Sequence, residues 1–244
     1  MTWSYSRLTC FERCPYEFFL HYILSLPEES MFYSSFGSFV HHIYAEVYSG
    51  RLTPEDAVPY YIACYRKHVT PRPPSEKIGQ SFFSQGLEAV RNLYIPPGIT
   101  EVEYHCNFTV GKYPFTGFID VAFRDEQGDL CIADHKSHPL RPRSARAKPT
   151  KGDEELDAYL RQLYLYSEAW RQLRGETPKY LLFNCYRTGT LIREPWREEK
   201  HQQALEWAAS TVEKITSNTN WPPSVDYFQC NHLCGCHHDC EYYN

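Results

Sequence analysis

"YPFTGFIDVAFRDEQGDLCIADHKS" (residues 113–137) decides how this chain is read. Two short, largely apolar runs flank "DEQGD", a turn signal, and read as neighbouring antiparallel strands. Side chains at i and i+2 of a strand share a face, so Asp134 and Lys136 point one way and His135 the other. Asp120 lies on the preceding strand, where pairing can bring it beside Asp134. Two carboxylates and an ammonium on one sheet face make a hard, oxygen-rich site suited to a Mg²⁺-like ion. Without a cation the carboxylates would repel and one would take up a proton. The lysine can stabilise an activated hydroxide or the charge that develops on a phosphate. An Asp-x-Lys triplet alone is common, and its plain alternative is a surface ion pair.

Working outward, "TEVEYHCNFTV" (100–110) and "GKYP" (111–114) supply a preceding strand and its turn. A helix is expected over about 154–173, then a strand pair in "KYLLFNCYRTGTLIREPW" (179–196). A further helix over about 198–216 carries Leu205, Ala208, Val212 and Ile215 on one face. Upstream the pattern is helical. "SRLTCFERC" (6–14) reads as a short helix capped by Ser6, and Pro15 suits the first turn of a second, "PYEFFLHYIL" (15–24). "FGSFVHHIYAEVYSG" (36–50) suits another, ended near Gly50, with more helix at about 54–68 and 81–94 around the connector "TPRPPS" (70–75). Helices, a strand meander, a helix and a strand pair make a mixed α/β domain.

Composition bounds the function. Apolar residues at 42 % can build a core, and 23 % charged residues are too few for a disordered chain. A net charge of −5 excludes a globally basic nucleic-acid binder, so any polyanion site must be local. The start, "MTWSYSRLTCFERCP" (1–15), has no apolar run of a signal peptide, and no later stretch is long enough to span a membrane. The chain is therefore read as cytoplasmic, where its ten cysteines would stay reduced. Cys64, Cys106, Cys131 and Cys185 lie singly in apolar contexts and read as small buried hydrophobes. The end, "FQCNHLCGCHHDCEYYN" (228–244), does not. Thiolates this dense hold zinc or an iron–sulfur cluster.

Three further features gather around Asp120, Asp134 and Lys136. His41 follows a glycine on a helix and can add a nitrogen ligand. Gln162 and Tyr166 in "RQLYLY" (161–166) are four apart, on one helix face. Their plain reading is a surface glutamine and a core tyrosine. "KSHPLRPRSARAKPTKG" (136–152) holds six Lys/Arg, Lys136 among them, and no acidic residue. Arg141, Arg143, Arg146, Lys148 and Lys151 could guide a nucleic-acid strand, or form a solvated loop.

The order "SYSRLTCFERCPYEFF", "FGSFVHH", "GFID", "ADHKS", "QLYLY" and a terminal cysteine cluster resembles the RecB-like iron–sulfur branch of the PD-(D/E)XK nuclease superfamily. That branch includes the AddB nuclease domain and the CRISPR-adaptation exonucleases of the Cas4 type. The resemblance spans almost the whole chain. It implies a restriction-endonuclease-like core, a mixed central sheet flanked by helices, with a helical N-terminal part and a C-terminal cysteine cluster. One nuclease domain over 1–244 is expected, with 1–95 mainly helical, 100–196 the catalytic core, and 228–244 a tail closing onto Cys14. By the same resemblance His41, Asp120, Asp134 and the carbonyl of His135 would ligate Mg²⁺ or Mn²⁺. Lys136 would be the catalytic lysine, and Gln162 and Tyr166 match the family's glutamine–tyrosine helix motif. Ile119 stands where the superfamily name has proline, a tolerated departure.

In these relatives a cysteine before the N-terminal proline joins three near the C-terminus to hold a [4Fe–4S] cluster. Cys14 precedes Pro15 and matches. The family spaces its last three cysteines by two residues, then five. Here Cys230, Cys234 and Cys240 are spaced by three, then five, and Cys236 is extra. Cys14, Cys230, Cys234 and Cys240 are the expected ligands, with Cys236 as an alternative to Cys234. A Zn²⁺ site built from the tail alone, with cysteines or with His232, His237 and His238, is the competing reading.

The resulting expectation is a metal-dependent exonuclease for single-stranded DNA or DNA ends. Recombination, repair, CRISPR adaptation and phage DNA processing are all compatible with it. No helicase motif is present, so unwinding would need a partner protein. The alternatives are a non-catalytic nucleic-acid-binding or recombination-partner module of the same fold, and a zinc-stabilised interaction protein.

Overall fold

The structure is a computed structural model that describes residues 1–243. Its sheet is built from β1 (Ile99–Val110), β2 (Tyr113–Arg124), β3 (Leu130–His135), β4 (Tyr180–Cys185) and β5 (Thr190–Pro195), in that spatial order. β1, β2 and β3 form the expected antiparallel meander, turned at Gly111 and Gly128, both at positive φ. β3 and β4 pair in parallel, and β4 and β5 form a hairpin. A parallel pair needs a long crossover, and the helix expected over 154–173 supplies it.

Around the sheet lie α1 (Tyr5–Arg13), α2 (Pro15–Phe18), α3 (Phe32–Tyr48), α4 (Pro54–His68), α5 (Glu76–Arg91), α6 (Lys151–Arg174), α7 (Glu198–Thr216) and α8 (Tyr227–His232). α1, α6 and α7 cover one face, packing on Ile119, Ala122, Ile132, Leu181 and Phe183. α3, α4 and α5 cover the other, packing on Val121, Phe123, Cys131, Ala133 and Leu182. Every residue of β3 is buried, as a sheet clad on both faces requires. This is the mixed α/β, restriction-endonuclease-like architecture, with a helical N-terminal part and cysteines at the C-terminal end.

The crossover helix starts and stops on strong local signals. Thr150 and Asp153 form a capping box, and Gly175 ends α6 in the left-handed conformation at φ 72°. The Asp153 carboxylate also accepts from the Ser144 amide and hydroxyl, both at 2.7 Å. Those bonds hold its pKa well below the usual carboxylate range and pin the middle of the basic segment to the helix start.

Several expected boundaries shift. α1 is capped by Ser4, whose hydroxyl accepts from the Arg7 amide at 3.3 Å, and not by Ser6. The helix expected over 15–24 changes after Phe18 into a π-helical turn, Phe19–Ile23. α5 starts at Glu76 because Ser75 caps it, and α3 starts at Phe32, before the glycine-containing stretch that marked it. The tail carries α8 and a 3₁₀ turn at His237–Asp239. Cys106, Cys131 and Cys185 are buried as expected, while Cys64 is half-buried. No helix among the described residues is long and apolar enough to cross a membrane.

The helical layer depends on one close approach. A Cβ on Gly86 of α5 would overlap the Tyr61 hydroxyl of α4 and come within 2.8 Å of the Phe36 ring of α3. Gly86→Ala gains about 1 kcal/mol of helix propensity but incurs an overpacking cost of about 1–3 kcal/mol. The melting temperature should fall by about 2–4 °C per net kcal/mol lost for a chain of this size. A rise on thermal unfolding of the variant would contradict this packing.

Candidate active site

The last pair between β2 and β3 at this end is Val121↔Ala133, so Asp120 and Asp134 occupy the next rung, where the strands part. Instead of pairing with a strand carbonyl, the His135 amide donates to Asp120 Oδ2 at 2.8 Å. The Lys136 amide donates to the Asn184 carbonyl of β4 at 2.9 Å. Both acidic side chains thus enter a gap that the backbone itself holds open.

Lys136 Nζ lies 2.7 Å from Asp134 Oδ2 and donates to Gln162 Oε1 at 2.7 Å. Gln162 Nε2 donates to the Tyr166 hydroxyl at 3.0 Å. Asp134, Lys136, Gln162 and Tyr166 therefore form one chain of contacts between β3 and α6. The Tyr166 ring lies against Gly117, where a Cβ would come within 2.7 Å of it. That contact explains the glycine three residues before Asp120. His135 points to the other face, stacks on Tyr44 at 4.2 Å, and shares its Nδ1 with the Asn184 amide at 3.1 Å. On the α3 side, His41 Nδ1 is 3.3 Å from Asp120 Oδ2. His42, its sequence neighbour, turns to the Tyr60 hydroxyl instead.

Asp134 is 2 % exposed. Its Oδ2 meets the Lys136 ammonium at 2.7 Å, and the same ammonium also donates to Gln162. Burial, and then the charge of Asp134, push the Asp120 pKa well above the usual carboxylate range. Burial also lowers the His41 and His135 pKa values, so both rings are held neutral. A neutral imidazole nitrogen and two neighbouring carboxylates that resist ionising together are donors of the kind that suit a hard cation.

The sequence reading missed Glu103. Its neighbours pair as Val102↔Val121 and Tyr104↔Ile119, which sets Glu103 opposite Asp120. It sits at φ 48°, unusual for a non-glycine residue. It lines the same cavity as Asp120, and burial, then Asp134, raise its pKa. Nothing in "EVEYH" marks it except its register opposite Asp120.

Two cavities meet at His41, Asp120 and Lys136. One, of about 950 Å³, is lined by serines, histidines, Glu46 and Arg51 along α3. The other, of about 410 Å³, runs under Thr116–Phe118 toward Gln162 and Tyr166. Arg141, Arg143, Arg146, Lys148 and Lys151 of the basic segment line neither. Arg143 is committed within the chain, donating to Asp157 at 2.7 Å and Glu194 at 2.8 Å. Arg141, Arg146, Lys148 and Lys151 are exposed.

The cysteines gather as a second centre. Cys14, Cys230, Cys234 and Cys240 line one cavity between the start and the end of the chain, and Cys236 does not. All ten cysteines are free thiols. Cys14 Sγ accepts from the Glu17 and Ser224 amides, each at 3.4 Å. Trp221 stacks on Phe18 and Phe19 beside it, at 5.8 and 5.6 Å.

The charge conflict at Asp120 gives a pH dependence. With its folded pKa raised, Asp120 contributes stability at acid pH that is lost as pH rises from the ordinary carboxylate range through the raised value. In chelator-treated protein, Asp120→Asn should therefore melt progressively higher than wild type as pH rises toward neutrality. A gap between the two that stays constant with pH would contradict the conflict.

No curated protein sequence matches the chain. Among solved structures, a protein of Eubacterium rectale described as a "putative exonuclease" superposes with a TM-score of 0.54 at 15 % identity, covering 98 % of this chain and 87 % of that one. This likeness speaks for the fold. SSO0001 superposes with a TM-score of 0.34 at 17 % identity, covering 85 % of this chain and 96 % of that one, too loosely to support any argument. The sequence family that matches residues 2–243 is described as the PD-(D/E)XK nuclease superfamily. With nearly its whole length inside that match, and with the α/β sheet that carries Asp120, Asp134 and Lys136, this chain belongs to the PD-(D/E)XK nuclease superfamily.

Proposed function

We propose that the chain is a Mg²⁺- or Mn²⁺-dependent DNA exonuclease of the RecB-like iron–sulfur branch, acting on single-stranded DNA or DNA ends. The observation that carries this reading is the contact chain from Asp134 through Lys136 and Gln162 to Tyr166, placed where two cavities meet. His41, Asp120, Asp134 and the His135 carbonyl would hold the cation, with Glu103 as a further carboxylate at its rim. When bound, the cation supplies charge neutralisation at the phosphate and acidifies water.

The chain's own residues set the rest. Lys136 is fixed between Asp134 and Gln162, so its ammonium is preorganised for charge that develops on the scissile phosphate. Gln162 orients the ammonium, and Tyr166, seated on Gly117, orients Gln162. The serine- and histidine-lined cavity along α3 would take the nucleic-acid strand. Arg141, Arg146, Lys148 and Lys151 would act as outer phosphate contacts, and Arg143 would act through its ion pairs as a brace for that segment.

Cys14, Cys230, Cys234 and Cys240 would hold a [4Fe–4S] cluster. Four free thiols around one cavity, with amide donors on Cys14 Sγ, fit the all-thiolate ligation and N–H···S bonding of such clusters. A domain over 1–244, its tail closing onto Cys14, follows from that ligand set. Action in a reducing cytoplasm suits ten free cysteines. A helicase, recombination or CRISPR-adaptation protein is the class of partner that would supply unwound ends.

Lys136→Ala should lower degradation of end-labelled single-stranded DNA with Mn²⁺ by at least about 100-fold, with binding of the same DNA nearly unchanged. The wild-type protein, purified without oxygen, should show the visible absorbance of an iron–sulfur cluster. Inactivity of both forms with intact DNA binding would overturn the enzyme in favour of a binding module.

A further inference from the structure

The tail cysteine left outside the four-cysteine cavity has its own neighbours. Cys236 is 1 % exposed. Its thiol meets the imidazole of His21 and the carboxylate of Glu28, with one donor atom from each lying within 4.8 Å of the others. His21 Nδ1 is buried with no hydrogen-bond partner, and stands 3.5 Å from Glu28 Oε1.

Three local features bring these groups together. His21 is the middle residue of the π turn Phe19–Ile23, and such turns re-aim a side chain relative to an α-helix. The segment after it bends back through Ser25, at φ 56°. The Glu29 amide then donates to the Gly235 carbonyl at 2.9 Å. A Cβ on Gly235 would lie 2.9 Å from both Glu28 Cβ and the Glu29 carbonyl. Only glycine lets the tail approach closely enough to set Cys236 beside Glu28.

We propose that His21, Glu28 and Cys236 form a Zn²⁺ site, separate from the four-cysteine cavity and from the Asp120 centre. One nitrogen, one sulfur and one oxygen suit a borderline-soft ion. The thiol disfavours Mg²⁺ or Ca²⁺, and the mixed set disfavours an iron–sulfur cluster. Water would complete a four-coordinate ion. Binding forms the zinc–sulfur bond and releases the thiol proton to solvent. Metal–ligand lengths of about 2.0–2.3 Å require the donors to close in, which Glu28, 45 % exposed at its side chain, can do. The bound ion would staple the π turn, the loop after it and the tail, independently of any cluster.

The full chain, expressed with added zinc and purified without oxygen, is assayed for zinc and iron per chain. The proposal predicts one zinc in wild type. His21→Ala, Cys236→Ser and the milder Glu28→Gln should each weaken Zn²⁺ binding at least about tenfold, with iron unchanged. Cys14→Ser should lose iron and keep zinc. Co²⁺ added to zinc-stripped protein should give a thiolate charge-transfer band that Cys236→Ser abolishes. Wild type that binds no zinc, or zinc content indifferent to all three substitutions, would overturn the site. So would loss of iron in Cys236→Ser with zinc unchanged in His21→Ala, which would make Cys236 a cluster ligand. Protein without iron would sink the cluster reading alone, since the zinc comparison still reads His21, Glu28 and Cys236.

Discussion

Two neighbouring carboxylates, set against each other by burial and charge, dominate this molecule. Asp120 and Asp134 stand on neighbouring strands at the rung where pairing stops, and the low-dielectric surroundings that bury Asp134 make their repulsion strong. A fold selected for stability alone would fill that gap with apolar side chains. Here the backbone is spent on keeping it open, with the His135 amide turned onto Asp120 and the Lys136 amide onto β4. The single ammonium of Lys136, 2.7 Å from Asp134 Oδ2, relieves part of the repulsion and is shared with Gln162. What remains is a demand for positive charge, which a divalent cation would meet.

The same arrangement accounts for features farther out. α6 must cross over because β3 and β4 are parallel, and that crossover carries Gln162 and Tyr166 onto the face of Asp134 and Lys136. Gly117 is small because Tyr166 lies on it. On the opposite side α3 brings His41 to Asp120, while His135 is consumed in packing on Tyr44. The chain's start and end meet around Cys14 and the tail cysteines, where Trp221 stacks on Phe18 and Phe19.

Much of this was legible in the sequence because strand alternation is a two-residue code. Asp134 and Lys136 had to share a face, with His135 opposite, and the turn in "DEQGD" had to return Asp120 toward them. The helix period likewise placed Gln162 and Tyr166 together. What escaped was whatever depends on contacts between distant segments. Glu103 is invisible without its register on β2 and its left-handed backbone. Arg143 reads as a free cation until Asp157 and Glu194 are seen beside it. Ser6 and Ser4 both precede a helical stretch, and only the Arg7 amide, donating to Ser4, identifies the cap. The π turn at Phe19–Ile23 has no signature in its residues, and the tail cysteines Cys234 and Cys236 pack on its Leu20.

Binding of Mn²⁺ to chelator-treated protein, read as the loss of the free-ion electron paramagnetic resonance signal, tests the central claim most directly. The account predicts saturable binding by wild type that Asp120→Asn and Asp134→Asn each weaken by at least about 100-fold. Equal Mn²⁺ binding by wild type and both variants would show that the paired carboxylates do not form the cation site, and would contradict the account.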